Sequence, residues 1–249
     1  MTAGSAITDR VAEMHASMAA APPNELLGAF GREQAALAAA GLPDGIAAAG
    51  TEIPDAGLLD VHGSPTTLYA ATADRTAVLV FYRGQWCPYC NIALSAYQQH
   101  LLPQLTERGI RLVAISPQTP DGSLSMREKH GLAFSAVSDP GSAIARGLGI
   151  LTQPSDEARA AQLQLGLDLT TVNADGTVAL PMPAVAIVDA GHALRWIDVH
   201  PDYSTCGCRK PMPPGDIHES RPLRGHAAGP GTDPGLQRCR GAGAAARPG

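Results

Sequence analysis

Only four residues separate the run Val78-Leu79-Val80-Phe81-Tyr82 from Cys87-Pro88-Tyr89-Cys90, and that juxtaposition constrains the chain more than any other feature. Five apolar residues are too few for a lone helix. Apolar on both faces, they fit a central parallel strand. Residues 91–107 read as a helix, so the two cysteines fall where strand gives way to helix. A helix start offers unpaired N–H groups and a partial positive charge, which favour thiolate over thiol. Two intervening residues bring both thiols within disulfide reach on the first turn. Pro88 restricts the backbone between them, with consequences for redox potential.

The flanking sequence supplies the rest of an α/β sandwich with a mixed sheet. Residues 8–50 read as helical, split at Pro22 and Pro23, with Asn24 capping a second helix whose Leu26, Phe30 and Leu37 share one face, charges opposite. An amphipathic extension of this kind usually covers a core, although a partner-binding arm fits the same pattern. Residues 57–69 give two short strands about a turn at His62-Gly63-Ser64. Leu112–Ser116 is a second buried strand, followed by a helix near residues 123–130, and Phe134–Val137 is a short strand. Asp139-Pro140 opens a helix to about Leu148, with Pro140 at its first position, and residues 155–166 form another. Ala184–Val188 and Leu194–Val199 pair as a hairpin about Ala190-Gly191.

Net charge is −5, which gives no reason to expect nucleic acid or an anionic membrane as partner. No apolar run approaches the roughly 18 residues of a membrane span. The Ala-rich N-terminus is interrupted by Asp9, Arg10, Glu13 and His15, unlike an export signal, so a cytoplasmic location is expected. In that reducing compartment a close cysteine pair is more often catalytic or metal-bound than a structural staple. Within residues 1–205 no second Cys/His pair stands at ligand spacing, and no flavin or nucleotide motif occurs. Neither a metal nor a cofactor is therefore expected.

WCPYC (residues 86–90) resembles the active site of thioredoxin-fold proteins. The longer stretches VLVFYRGQWCPYCN (78–91), LVAISPQTPDGSLSMREKHGL (112–132), SDPGSAIARGLGI (138–150) and LPMPAVAIVDAGHALRWIDVHPDYST (180–205) resemble peroxiredoxin-like proteins of the alkyl hydroperoxide reductase/thiol-specific antioxidant superfamily. The resemblance implies a thioredoxin-like, peroxiredoxin-type domain over residues 51–205, carrying an N-terminal helical extension over 1–50. It implies reduction of hydroperoxides through Cys87 and Cys90, with a thioredoxin-type donor restoring the dithiol. Against the peroxiredoxin pattern Pro-x-x-x-Thr/Ser-x-x-Cys, Arg83 stands at the proline, Cys87 at the threonine and Cys90 at the peroxidatic cysteine. The arginine of that family would fall near Pro183. Pro183 also resembles the cis-proline that faces the dithiol in thioredoxins; an ordinary edge proline fits the position equally well.

Two further activities stay open. Disulfide exchange would use Cys87 as the more exposed thiol of lower pKa, and a redox-sensing or partner-binding module would oxidise without turnover. Arg83 can support a thiolate, but a solvated position at a strand end is the commoner fate of such a residue. Trp86 shields the dithiol, offers a contact surface to partners, or caps the core, and Tyr89 reads as exposed between the cysteines. His62, His100, His130 and His200 follow no triad or metal pattern and read as surface residues.

After Thr205 the composition changes. Residues 206–249 hold 9 Gly and 7 Pro but only three of Ile, Leu or Val, and their net charge is +4 against −9 for residues 1–205. That composition cannot bury a core. The charged, Leu-rich terminal helix that follows HPDYST in the resembled family is missing. A reading-frame change after Thr205 accounts for the lost helix, the charge reversal and Cys206, Cys208 and Cys239 together, better than a functional tail does. The hairpin of residues 184–199 is then expected to keep an uncovered apolar face and the product to be marginally stable. Deleting residues 206–249 is expected to leave the melting temperature nearly unchanged; a fall of more than about 5 °C would mean that the tail packs on the domain.

Overall fold

The computed structural model describes residues 2–22 and 24–205; the expected disordered tail lies outside them. Two helices come first, α1 (Ala3–Ala20) and α2 (Glu25–Ala40). The order then runs β1 (Gly57–Leu59), β2 (Pro65–Thr67), α3 (Leu68–Thr72), β3 (Ala77–Phe81), α4 (Pro88–Ala96), α5 (Leu102–Glu107), β4 (Arg111–Ser116), α6 (Pro120–His130) and β5 (Ser135–Ser138). It closes with α7 (Ala143–Gly147), β6 (Leu151–Thr152), α8 (Asp156–Gln164), α9 (Leu169–Val172), β7 (Leu180–Pro181), β8 (Ala184–Val188), β9 (Leu194–Val199) and a 3-10 turn at Tyr203–Thr205.

Seven strands form one sheet in the order β2-β1-β5-β4-β3-β8-β9. β3 is parallel to β4, pairing Leu79 with Val113, and antiparallel to β8, pairing Leu79 with Ala186. The sheet is therefore mixed, with β3 near its middle, as its unbroken apolar sequence requires. Alternate residues of the strand feed two cores. Val78, Val80 and Tyr82 face α1, α4 and α6, whereas Leu79 and Phe81 face α3 and α7.

The helix after the cysteines is continuous in space but not uniform. α4 passes through a π turn, Tyr97–Leu101, into α5. Pro103 lies just beyond that turn; it has no N–H to give and its ring would crowd the carbonyl one turn back, which the wider turn relieves. Residues 139–148 depart from the expected single helix. Pro140–Ser142 is a 3-10 turn with Gly141 at φ 78° and Ser142 at φ 50°, and only then does α7 begin. Asp139 caps α7 across this turn, its carboxylate accepting from Ala143 N–H (2.9 Å) and Ile144 N–H (3.1 Å).

The N-terminal extension is bound into the domain. Asn24 caps α2 as expected, accepting from Leu26 N–H. Arg10 of α1 donates to Ser95 Oγ and Gln99 Oε1, both at 3.1 Å, on the helix that follows the cysteines. Arg32 of α2 pairs with Glu157 of α8. Residues 50–53 run beside the start of β9, with Gly50 N–H on Leu194 O and Leu194 N–H on Thr51 O. The expectation of an uncovered hairpin is corrected here. Every residue of β8 is buried and only β9, at the sheet edge, has half-buried apolar residues, Trp196 and Ile197. The extension and the two cores supply the cover. His200 also departs from expectation, since it is buried with its ring on Asp198 Oδ2 and Thr205 Oγ1 at 3.1 Å each.

Leu79 is fully enclosed between β4 and β8. Leu79→Ala is expected to cost about 3 kcal/mol through lost burial and a residual cavity, read as a lower urea midpoint at unchanged slope.

Candidate active site

Cys87 is the N-cap of α4, Pro88 its first residue and Cys90 its third. The two cysteines are not joined in a disulfide, and both are buried, at 2% and 1% exposure. The strand-to-helix placement expected from the sequence holds; the expected exposure of Cys87 does not. Of the four residues 87–90 only Pro88 is exposed. Tyr89 is buried as well, its hydroxyl 2.9 Å from His15 Nε2 of α1 and receiving a longer contact from Gln34 of α2.

The loop between β3 and α4 is pinned from both sides. Gln85 N–H donates to Gln118 Oε1 (2.8 Å), and Gln118 Nε2 donates to the buried Tyr82 hydroxyl (2.8 Å). Asn91 Nδ2 donates to Gln85 O and Cys87 O at 2.7 Å each, while His130 Nε2 lies 2.8 Å from Asn91 Oδ1. Gly84 permits the turn's close packing, since a Cβ there would come 2.4 Å from Trp86 Nε1. Trp86 is half-buried against the core and lines the cleft beside Cys87, so capping the core and shielding the dithiol are one position.

Arg83 is not solvated. Only 5% exposed, it lies 3.8 Å from the Tyr203 ring centroid and 5.3 Å from that of Trp86, with Nη2 3.9 Å from Glu33 Oε2. Glu33, on α2, accepts from the Tyr203 hydroxyl (2.8 Å) and from Ser155 N–H (2.8 Å). Burial is the largest influence on Arg83 and acts to lower its pKa, but the fields of Cys87, Tyr203, Glu33 and Cys90 outweigh it and the guanidinium stays charged.

Burial pushes the Cys87 thiol well up, helped by its hydrogen bond with the Cys90 side chain and by the charge there; Arg83 acts against these and does not prevail. The low pKa expected of Cys87 from its helix-start position is thus overturned, because desolvation exceeds the dipole's contribution. Cys90 Sγ accepts a hydrogen bond from Arg83 N–H at 3.4 Å.

A cleft of about 530 Å³ opens beside Cys87, walled by His15, Phe30, Trp86, Leu165 and Tyr203. It contains Arg83 but not Cys90, which lines a gap of about 20 Å³ behind it with Tyr82, Pro183 and His200. Pro183 is buried and accepts from His200 N–H through its carbonyl at 2.9 Å. No peptide bond among the described residues is cis, so the cis-proline expectation is corrected in favour of a trans proline leading into β8.

Residues 49–197 match the AhpC/TSA family. The chain belongs to that family. It is accordingly a thiol-dependent oxidoreductase of the peroxiredoxin kind, built on the thioredoxin-like fold described above. Similar solved structures include peroxidoxin BcpB from Mycobacterium tuberculosis, at 17% identity and TM-score 0.48 over 63% of this chain and 90% of that one. Another is a peroxiredoxin-like protein from Aquifex aeolicus, at 14% identity and TM-score 0.49 over 64% and 79%. No curated protein matches the chain.

Glu33, Tyr203 and His15 escaped the sequence reading. Glu33 had a signal: with Leu26, Phe30 and Leu37 it occupies one helical stripe, a carboxylate on an apolar face. Among the described residues, no helix is long and apolar enough to cross a membrane, and no three His, Cys, Asp or Glu side chains are gathered to hold a metal ion. His218 and His226 lie outside those residues, with the three tail cysteines.

Because the folded state resists ionising Cys87, folding stability should fall as pH rises above the ordinary thiol range, about 8.5, where the unfolded chain releases that proton first. Urea titrations from pH 8 to 9.5 should give a shallower decline in Cys87→Ser than in the parent.

Proposed function

We propose that Cys90 is the thiol that attacks hydroperoxide and Cys87 the one that resolves it. The supporting observation is that Cys90 Sγ accepts Arg83 N–H, while burial and the hydrogen bond with Cys90 oppose ionisation of Cys87. Cys87 stands where the resembled peroxiredoxins carry threonine, and its S–H can donate to a Cys90 thiolate as that hydroxyl would. The guanidinium of Arg83 supplies a cation beside both sulfurs, from the strand end rather than from the region of Pro183.

In this mechanism the Cys90 thiolate attacks the terminal peroxide oxygen. The O–O bond breaks, the alkoxide leaves with a proton as alcohol, and Cys90 becomes a sulfenic acid. Cys87 then attacks that sulfur, releasing water and forming the Cys87–Cys90 disulfide. A thioredoxin-type dithiol restores both thiols and is itself oxidised to a disulfide. A cytoplasmic setting belongs to the same reading, because cycling needs a reducing donor pool.

Disulfide exchange is the second reading, supported by the place of Cys87, not Cys90, in the cleft wall. Sulfenic-acid trapping after hydrogen peroxide addition separates the two. Label is expected on Cys90 in Cys87→Ser and to be absent at Cys87 in Cys90→Ser. The reverse pattern overturns the assignment of roles, and no label in either variant, with retained reduction of a protein disulfide by the parent, favours exchange.

A further inference from the structure

Peroxide reduction as described uses Cys87, Cys90 and Arg83, and leaves unused a buried carboxylate contributed by the N-terminal extension. We propose that Glu33 is a positioning residue of the redox site, holding Arg83 against Tyr203 so that the guanidinium faces the dithiol. The proposal rests on the reading of Cys87 and Cys90 as the redox pair.

The side chains of Arg83 and Glu33 are 6% and 5% exposed, and their closest atoms lie 3.9 Å apart. Neither charge could be left alone at that depth without a large desolvation cost. The carboxylate is fixed on its other side, because Oε2 accepts the Tyr203 hydroxyl and Oε1 accepts Ser155 N–H at the start of α8. The Tyr203 ring in turn covers the guanidinium at 3.8 Å. Glu33 and Tyr203 therefore hold Arg83 on two sides, and with Trp86 it shares the wall of the cleft that Cys87 also lines; the fields of both thiols act on it together with theirs. Glu33 and Tyr203 both fall outside residues 49–197, the stretch that matches the family, Glu33 on the N-terminal extension and Tyr203 just beyond β9.

A plainer role is available to Glu33, tying α2 to α8 through Ser155. The two roles differ in what they do to the thiols. The other titratable groups around the pair are Tyr82 and His200 with Asp198 on the side of Cys90, Tyr203 beside Arg83, and His15 across Tyr89. Of these only Tyr203 touches Glu33, its hydroxyl donating to the carboxylate, so Glu33→Gln acts on that contact and on Arg83 together.

The test is the pH dependence of iodoacetamide alkylation in the reduced full-length protein, followed by mass spectrometry on the peptide carrying residues 87–90. It reads thiolate formation and not peroxide turnover, so it can fail or succeed independently of the trapping experiment. Glu33→Gln is expected to raise the thiolate midpoint by about one pH unit, the scale of one misplaced opposite charge. In an Arg83→Gln background the same change should produce no further shift. A lowered or unchanged midpoint, or an equal shift without Arg83, overturns the proposal. Should Glu33→Gln fail to give a cooperative thermal transition, Tyr203→Phe removes only the hydroxyl that holds the carboxylate. It should raise the midpoint with Arg83 present and not without it; absence of that rise equally overturns the proposal.

Discussion

A guanidinium held out of water at the end of β3 sets the terms for everything around it. Arg83 loses nearly all of its hydration, and the protein must answer that loss locally. It does so with one carboxylate, two aromatic faces and two sulfurs, drawn from α2, the loop before α4, the helix start and the turn at Tyr203. Segments far apart in sequence thereby converge on one side chain. The N-terminal helices are consequently part of the site as well as its cover, since His15 and Phe30 wall the cleft and Glu33 supplies the arginine's counter-charge.

The same burial decides how the dithiol divides its work. A helix start stabilises a thiolate, but the effect is a fraction of a charge acting over one turn. Full desolvation acts on the whole charge, and at Cys87 it wins. In the proposed cycle the first cysteine offers its proton to the second, whose sulfur receives a backbone N–H. Thioredoxin-like spacing is in this way compatible with a peroxiredoxin-like division of roles. Spacing fixes reach, whereas environment fixes which sulfur is charged.

What could be read from the sequence follows from the range of the forces involved. Strand β3, the hairpin β8–β9 and the helix after Cys87 announce themselves through local pattern: an apolar run, a Gly turn, a cysteine at a boundary. The 3-10 turn at Pro140–Ser142 did not, because Asp139 caps across it and the proline mimics an ordinary first helical residue. Tyr89 and Arg83 are residues whose local sequence suggests exposure, and each is buried by partners distant in sequence: His15 for Tyr89, Glu33 and Tyr203 for Arg83. His200 is held by its near neighbours Asp198 and Thr205 beside the core at Pro183. Such pairings carry no periodicity. Only Glu33 left a trace, as a charge on an apolar stripe.

That trace also bears on how a family frame accepts an unusual residue. The family match ends at residue 197 and begins at residue 49. Arg83 lies inside it, at the place where the resembled pattern has proline, yet its counter-charge and its aromatic lid come from residues 33 and 203. A buried arginine introduced without them would cost more than a small domain can spare. With them, it gives the dithiol a cation that the region of Pro183 does not provide. Glu33 on the extension, Tyr203 beyond β9 and Arg83 at the strand end therefore form one buried cluster, and the arginine's place beside the dithiol is tied to the packing of α2.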